Sequence, residues 1–277
     1  MFIYDSKIQP WVSKIWKTSI KLEFDISLPT PDHNDWVFMP FPMYPSSYSE
    51  KQYTGIKNLQ SSPKKIRILF AGCVIPRQYS ETNSKSILKK FQIIPRTTVI
   101  NTINSHFTKE LLAVESWQHM QLLLSSNYQQ KCIILSRSKV EIPNQKWLDV
   151  LSKSEFFVCA PGVIMPMCHN AIESMAVGTI PITNYPDWFS PSLVHLKNCI
   201  RFTTQEDLIE KIELVLTMNQ SQVEELHKNV IAYYEEHLSC ESFLNNTVYS
   251  NKSKLTVFIN AENNYVYEID KNSIILN

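Results

Sequence analysis

Glycine is scarce in this chain. The 277 residues hold four, and three of those four punctuate long apolar runs. Gly72 closes the run Ile66-Arg67-Ile68-Leu69-Phe70-Ala71. Gly162 follows Phe156-Phe157-Val158-Cys159-Ala160-Pro161, and Gly178 separates residues 169–177 from Thr179-Ile180-Pro181-Ile182. Glycine is the residue that tolerates positive φ and close backbone approach, so a chain this sparing with it keeps it where a Cβ does not fit. Two of the three follow strand-like runs, the position at which α/β folds hold ligands. The third has the place of a helix C′ residue leading into a strand.

The runs between these glycines alternate in type. Residues 66–71, 99–103, 132–135, 155–159, 179–183 and 199–202 read as strands. Residues 84–91, 108–124, 144–151 and 169–177 read as helices. Thr204 caps a helix whose Leu208, Ile209, Ile212, Val215 and Leu216 share a face, and Ser221-x-x-Glu224 reads as a capping box opening another. Strand–helix alternation of this kind predicts an α/β, Rossmann-like domain with a mostly parallel sheet covered on both faces.

The flanks differ. Residues 1–63 form a short N-terminal unit, with an alternating strand at 20–26, an apolar run at 36–39 and prolines at 29, 31, 40, 42 and 45 that break it into pieces. Residues 64–245 form the Rossmann-like domain. Residues 246–277 read as a C-terminal β-hairpin, because 254–260 and 265–270 both alternate around Ala261-Glu262-Asn263-Asn264.

Composition narrows the function classes. At 44% hydrophobic and 19% charged residues the chain folds around a real core, and a net charge of +1 argues against a dedicated nucleic-acid or polyanion binder while leaving room for a local basic pocket. The six cysteines form no Cys-x-x-Cys pair and have no zinc-finger spacing, which predicts reduced thiols and a cytoplasmic setting. No run of about 18 apolar residues is present, and the first residues show neither the short apolar core nor the small-residue cleavage site expected of a secretory signal. Its Trp11, Trp16 and Ile20 interleaved with lysines suit either core packing or a peripheral membrane contact. An edge strand of the C-terminal hairpin would allow a homo-oligomer.

The densest constellation lies in residues 154–181. It runs strand, Pro-Gly loop, helix, glycine, strand. A helix start placed after such a loop attracts phosphate through its unpaired N–H groups and its dipole. His169 and Glu173 are four apart and share a face. A carboxylate one turn into the helix can accept hydrogen bonds from both hydroxyls of a ribose, and His169 can donate to a diphosphate. A satisfied histidine and a solvated glutamate are the ordinary alternatives.

With these residues in view, Ser154-Glu155-Phe156-Phe157-Val158-Cys159-Ala160-Pro161-Gly162 and Glu173-Ser174-Met175-Ala176-Val177-Gly178-Thr179-Ile180-Pro181-Ile182 resemble the donor-binding half of GT-B glycosyltransferases, and the exostosin-like group in particular. Leu69-Phe70-Ala71-Gly72 resembles the first strand of that half, and the resemblance extends over residues 64–238. It implies that Glu173 holds the donor ribose, that Gly162 and the helix start with His169 and Asn170 face the diphosphate, and that Gly72 lies beneath the donor. Arg77 and, with Arg137 and Lys139, the segment after residues 132–135 would neutralise the leaving group. Asn170 stands where the group commonly has an arginine. The 63 residues before the donor half are fewer than the group's usual acceptor domain.

The implied function is a metal-independent, cofactor-free glycosyltransferase that moves a sugar from a nucleotide-sugar donor to a glycan or lipid-linked acceptor, as in polysaccharide biosynthesis. No Asp-x-Asp motif marks a metal site. An inverting transfer needs a base for the acceptor proton, and Asp32, His33 and Asp35 beside Trp36 form the candidate cluster. A surface turn is the alternative reading of that cluster. His106 and Glu110 are a second pair four apart, and Trp36, Tyr44 and Trp188 are candidate sugar platforms. A non-catalytic nucleotide-sugar- or glycan-binding module of the same fold, and an epimerase acting on the nucleotide sugar, are the rival readings.

Overall fold

A computed structural model describes residues 2–5, 19–25, 36–76, 88–89, 91–126, 128–162, 165–250, 252 and 254–260. Its strands are β1 (Phe2–Asp5), β2 (Ser19–Asp25), β3 (Trp36–Phe38), β4 (Ile66–Gly72), β5 (Tyr128–Ser136), β6 (Ser154–Val158), β7 (Ile180–Thr183), β8 (Ile200–Arg201) and β9 (Lys254–Asn260). Its α-helices are α1 (Pro45–Ser49), α2 (Ile56–Gln60), α3 (Arg96–His106), α4 (Trp117–Ser125), α5 (Trp147–Ser152), α6 (His169–Ala176), α7 (Gln205–Thr217), α8 (Gln220–Tyr233) and α9 (Cys240–Asn246). The chain divides into two compact units. The larger comprises Pro42–Pro186 and Leu193–Tyr234, and the smaller Met1–Phe41, Asp187–Ser192 and Glu235–Asn277.

The larger unit carries a five-stranded sheet in the order β5-β4-β6-β7-β8, every pair parallel. It is the α/β, Rossmann-like domain the alternation of elements predicts. Ile66, Ile68, Leu69, Phe156, Phe157, Ile180 and Ile182 are buried although they alternate between the two faces. A parallel sheet buried on both sides requires such near-continuous apolar runs. Each fully buried side chain of this size contributes roughly 1.5–3 kcal/mol. Within the core, neighbouring β4 and β6 bring Arg67 and Glu155 into an ion pair. Arg67 also donates to the Met218 carbonyl and lies 5.9 Å over the Phe156 ring.

The smaller unit carries a parallel four-stranded sheet, β1-β2-β9-β3. Its core is Leu255 and Val257 with Val37, Met39, Phe243 and Ile259 packed against them, and Phe38 stacks on Phe258 at 4.9 Å. The strand expected at 254–260 is β9, and its neighbours are β2 and β3 in parallel register. The second arm of the expected hairpin, residues 265–270, lies outside the described residues. Residues 42–63, grouped with the N-terminal unit by the sequence, belong to the larger unit.

Some local assignments change. Residues 99–103 are not a strand but part of α3: Val99, Ile100 and Ile103 are buried at helical spacing after Pro95. Tertiary burial overrides the strand preference of β-branched residues. The helix expected from residue 108 starts at Trp117, where Ser116 accepts the His119 N–H. The capping box of α8 is Asn219 with Gln222, two residues before the expected pair.

Candidate functional site

Taken in order of appearance within the larger unit, the strands run 2-1-3-4-5 across the sheet. The direction of winding reverses between β4 and β6, and ligands of open α/β sheets bind outside the carboxyl ends of the strands at such a reversal. Those ends are Gly72 with Cys73 on β4 and Ala160-Pro161-Gly162 after β6. The residues singled out by their glycines therefore flank the switch point.

Two side chains tie the switch point together. Arg96, the first residue of α3, is buried and donates through Nε to the Pro161 carbonyl (3.0 Å), through one terminal nitrogen to Cys73 (3.0 Å) and through the other to Ala160 (3.3 Å). Asn170, the second residue of α6, donates to the Ala71 carbonyl at 3.1 Å. Asn170 thus links the start of α6 to the end of β4. Arg96 was not marked by the sequence, because its acceptors are backbone carbonyls of loops distant along the chain.

Gly162 needs its missing side chain. A Cβ there would lie 2.5 Å from the Met165 carbonyl oxygen and 3.2 Å from that of Met167. The Gly162 N–H donates to the Pro166 carbonyl at 3.0 Å, so the loop folds back on itself just before α6. Cys168, the N-cap of α6, contributes no side-chain cap to the helix start. At the other end, Gly178 has φ +74°, as a C′ glycine requires. The Ala176 carbonyl accepts from Gln60 Nε2, and the His227 ring faces the Gly178 carbonyl at 2.5 Å.

One turn into α6, Glu173 is 1% exposed. Its Oε1 accepts the Tyr44 N–H at 2.8 Å and the Ser47 hydroxyl at 3.2 Å, and its Oε2 accepts the Trp147 indole N–H at 2.5 Å. Burial pushes its carboxyl above the usual range, opposed by the hydrogen bonds from Tyr44 and Trp147, the nearby His169 and the hydrogen bond from Ser47. The sequence places Glu173 on the helix face of His169, with a solvated glutamate as the alternative. It does not indicate Trp147 or Ser47 as its partners. These three donors converge on Glu173 only through the fold.

The other expected residues fare differently. His169, half-buried, sets Nδ1 2.7 Å from the Pro42 carbonyl and its ring 5.5 Å from Tyr44, edge to face. Arg137 follows β5, and its N–H donates to the Gly72 carbonyl at 2.9 Å. Its exposed guanidinium pairs with Glu141 at 2.8 Å, which raises its already high pKa. Lys139 is exposed in the same turn. Asp32, His33, Asp35 and Arg77 lie outside the described residues. His106 and Glu110 do not share a helical face, because α3 ends at His106 and the next residue, Phe107, leaves helical geometry. Of the expected sugar platforms Trp188 is buried and Tyr44 is 47% exposed; the side chain of Trp36 is not described.

Among the described residues, no group of three or more His, Cys, Asp or Glu is placed to hold a metal ion. No helix among them is long and apolar enough to cross a membrane. All six cysteines are free thiols.

No protein-family model and no curated protein matches the sequence. Solved structures do match in part. The structure of TarM, 12% identical, aligns with 89% of this chain and 53% of its own at a TM-score of 0.44. WaaG, a glycosyltransferase of lipopolysaccharide biosynthesis, is 12% identical over 84% of this chain and 63% of its own, with a TM-score of 0.38. A UDP-forming trehalose-phosphate synthase from Burkholderia xenovorans is 9% identical over 82% of this chain and 71% of its own, with a TM-score of 0.41. The chain spans about half the length of the first of these. Likenesses of this strength leave the function to be read from the residues.

Proposed function

We propose that this chain transfers a sugar from a nucleotide-activated donor to a glycan or lipid-linked acceptor, without a metal. One observation carries the reading: the winding of the parallel sheet reverses between Gly72 and Pro161-Gly162, and α6 starts there with a carboxylate one turn in. On this reading the donor diphosphate lies against the start of α6 and the Gly162 loop, where N–H groups and the helix dipole favour an anion. Glu173 takes the ribose hydroxyls, and His169, Arg137 and Arg77 offset the charge of the leaving diphosphate. The acceptor oxygen forms its bond to the anomeric carbon as the bond to the diphosphate breaks. In an inverting transfer its proton passes to one of Asp32, His33 or Asp35.

A second reading has its own support. Every oxygen of Glu173 already accepts a hydrogen bond from the protein. A nucleotide-sugar- or glycan-binding module without turnover would be consistent with that.

The test is a melting-temperature screen of the purified chain with UDP, GDP, CMP, ADP and their common sugar conjugates, beside Glu173→Ala. A ligand that binds only the folded state raises the melting temperature by mass action. One nucleotide that stabilises the wild type and leaves Glu173→Ala unmoved is expected. No shift with any of them, in the wild type and in folded variants that delete the Tyr44 N–H or the Ser47 hydroxyl, overturns the donor site. Release of nucleoside diphosphate that depends on added acceptor then separates the transferase from the module.

A further inference from the structure

The two hydrogen bonds on Glu173 Oε1 come from one short segment, residues 42–49, and that segment is placed as a ligand would be. It offers the carboxylate one N–H and one O–H, from Tyr44 and Ser47, which the turn between the Ser47 N–H and the Tyr44 carbonyl (2.9 Å) holds side by side. A vicinal diol likewise offers a carboxylate two adjacent donors, both of them hydroxyls. The segment also engages the other polar group of that helix face: the Pro42 carbonyl meets His169 Nδ1 at 2.7 Å, and the Tyr44 ring meets the His169 ring. Residues 42–49 thus occupy two of the three α6 side chains assigned to the donor, Asn170 being held by the Ala71 carbonyl.

We propose that residues 42–49 act as a built-in competitor for Glu173, and that a nucleotide diol reaches the carboxylate only when Tyr44 and Ser47 release it. The inference rests on the nucleotide-sugar reading above. Trp147 is on a different element and stays on Oε2, so release frees Oε1 while the carboxylate keeps its orientation. Local chemistry permits the release. Helix α1 is five residues long, its N-cap Tyr44 makes no side-chain cap and is 47% exposed, and Ser47, 1% exposed, is the part of the segment that has to leave a buried place. Buried Met43 anchors the start of the segment, so movement is needed only from Tyr44 onward.

Competition has a measurable sign. When the binding-competent form is a minor fraction, the apparent dissociation constant is the intrinsic one divided by that fraction. Removing a donor from the competitor raises the fraction, by roughly ten- to a hundredfold for one hydrogen bond to a charged group. Tyr44 has φ −59°, close to the angle proline imposes, so Tyr44→Pro deletes the N–H at a compatible backbone angle. Tyr44→Ala keeps that N–H and removes only the ring. Ser47→Ala removes the other donor.

The experiment is calorimetric titration of the wild type, Tyr44→Pro, Tyr44→Ala, Ser47→Ala and Glu173→Ala with UDP, GDP and ADP, each variant checked by thermal unfolding. The expected result is about tenfold or greater tightening of one nucleotide in Tyr44→Pro and Ser47→Ala, weaker tightening in Tyr44→Ala and loss in Glu173→Ala. Faster amide exchange at Tyr44 in nucleotide-saturated wild type is expected alongside. If the wild type binds and neither donor deletion tightens binding, the competition is overturned while the nucleotide site stands. If no folded form binds any of the three, the nucleotide reading falls and the competition with it.

Discussion

Glu173→Ala is the substitution whose effect the structure specifies most closely, before any ligand is added. It removes the acceptor of three donors at once: the Tyr44 N–H, the Ser47 hydroxyl and the Trp147 indole N–H. A buried donor without an acceptor costs about 1–3 kcal/mol. The indole is fixed and bears the full cost. The Ser47 hydroxyl can rotate, and the Tyr44 N–H belongs to a residue 47% exposed, so each bears a fraction. Removing a carboxylate that burial holds above its usual pKa offsets part of the sum. The net expectation is a destabilisation of about 2–3 kcal/mol, or about 3–5 °C in melting temperature for a chain of this size. Glu173→Gln loses less, but its amide presents one oxygen and one NH₂, so one side sets donor against donor. Urea unfolding of the three proteins at constant pH measures this. A change below about 0.5 kcal/mol in Glu173→Ala, the range of ordinary surface substitutions, would refute the geometry drawn around the carboxylate. The same number sets the baseline for the nucleotide screen, where each variant is compared with its own unliganded melting point.

Three more outcomes are expected. Gly162→Ala drives a Cβ to within 2.5 Å of the Met165 carbonyl and should cost about 1–3 kcal/mol; unchanged urea midpoints would show that the loop yields without strain. Arg67→Met strands Glu155 in the core and should cost about 3–5 kcal/mol, most of it recovered in Arg67→Met/Glu155→Leu; a double variant no better than the single one would show that the pair itself is needed. The raised pKa of Glu173 fixes a pH dependence. An acid whose folded pKa exceeds its unfolded 4.5 binds more protons in the native state between those values, so stability falls as pH rises through that window. The stability of wild type relative to the non-titrating Glu173→Gln should therefore decline from pH 4.5 upward, and a relative gain measured by urea unfolding at stepped pH contradicts it.

What the sequence determined is local and periodic. The apolar runs at 66–71, 132–135, 155–159 and 179–183 are strands because continuous hydrophobicity between turn residues leaves a parallel, doubly covered sheet as their outcome. Gly178 was legible as a C′ residue, and its φ of +74° shows why no larger residue is suited there. The helical placement of His169 and Glu173 followed from their spacing. Residues 99–103 misled, because β-branched residues read as strand until a neighbouring surface buries them at helical spacing. What only the tertiary structure decided is who meets whom. Arg96 finds its three carbonyls at Cys73, Ala160 and Pro161, and Glu173 finds Tyr44 and Ser47 from more than a hundred residues away. A hydrogen bond depends on a few tenths of an ångström in three dimensions, and no periodicity in the chain encodes that distance.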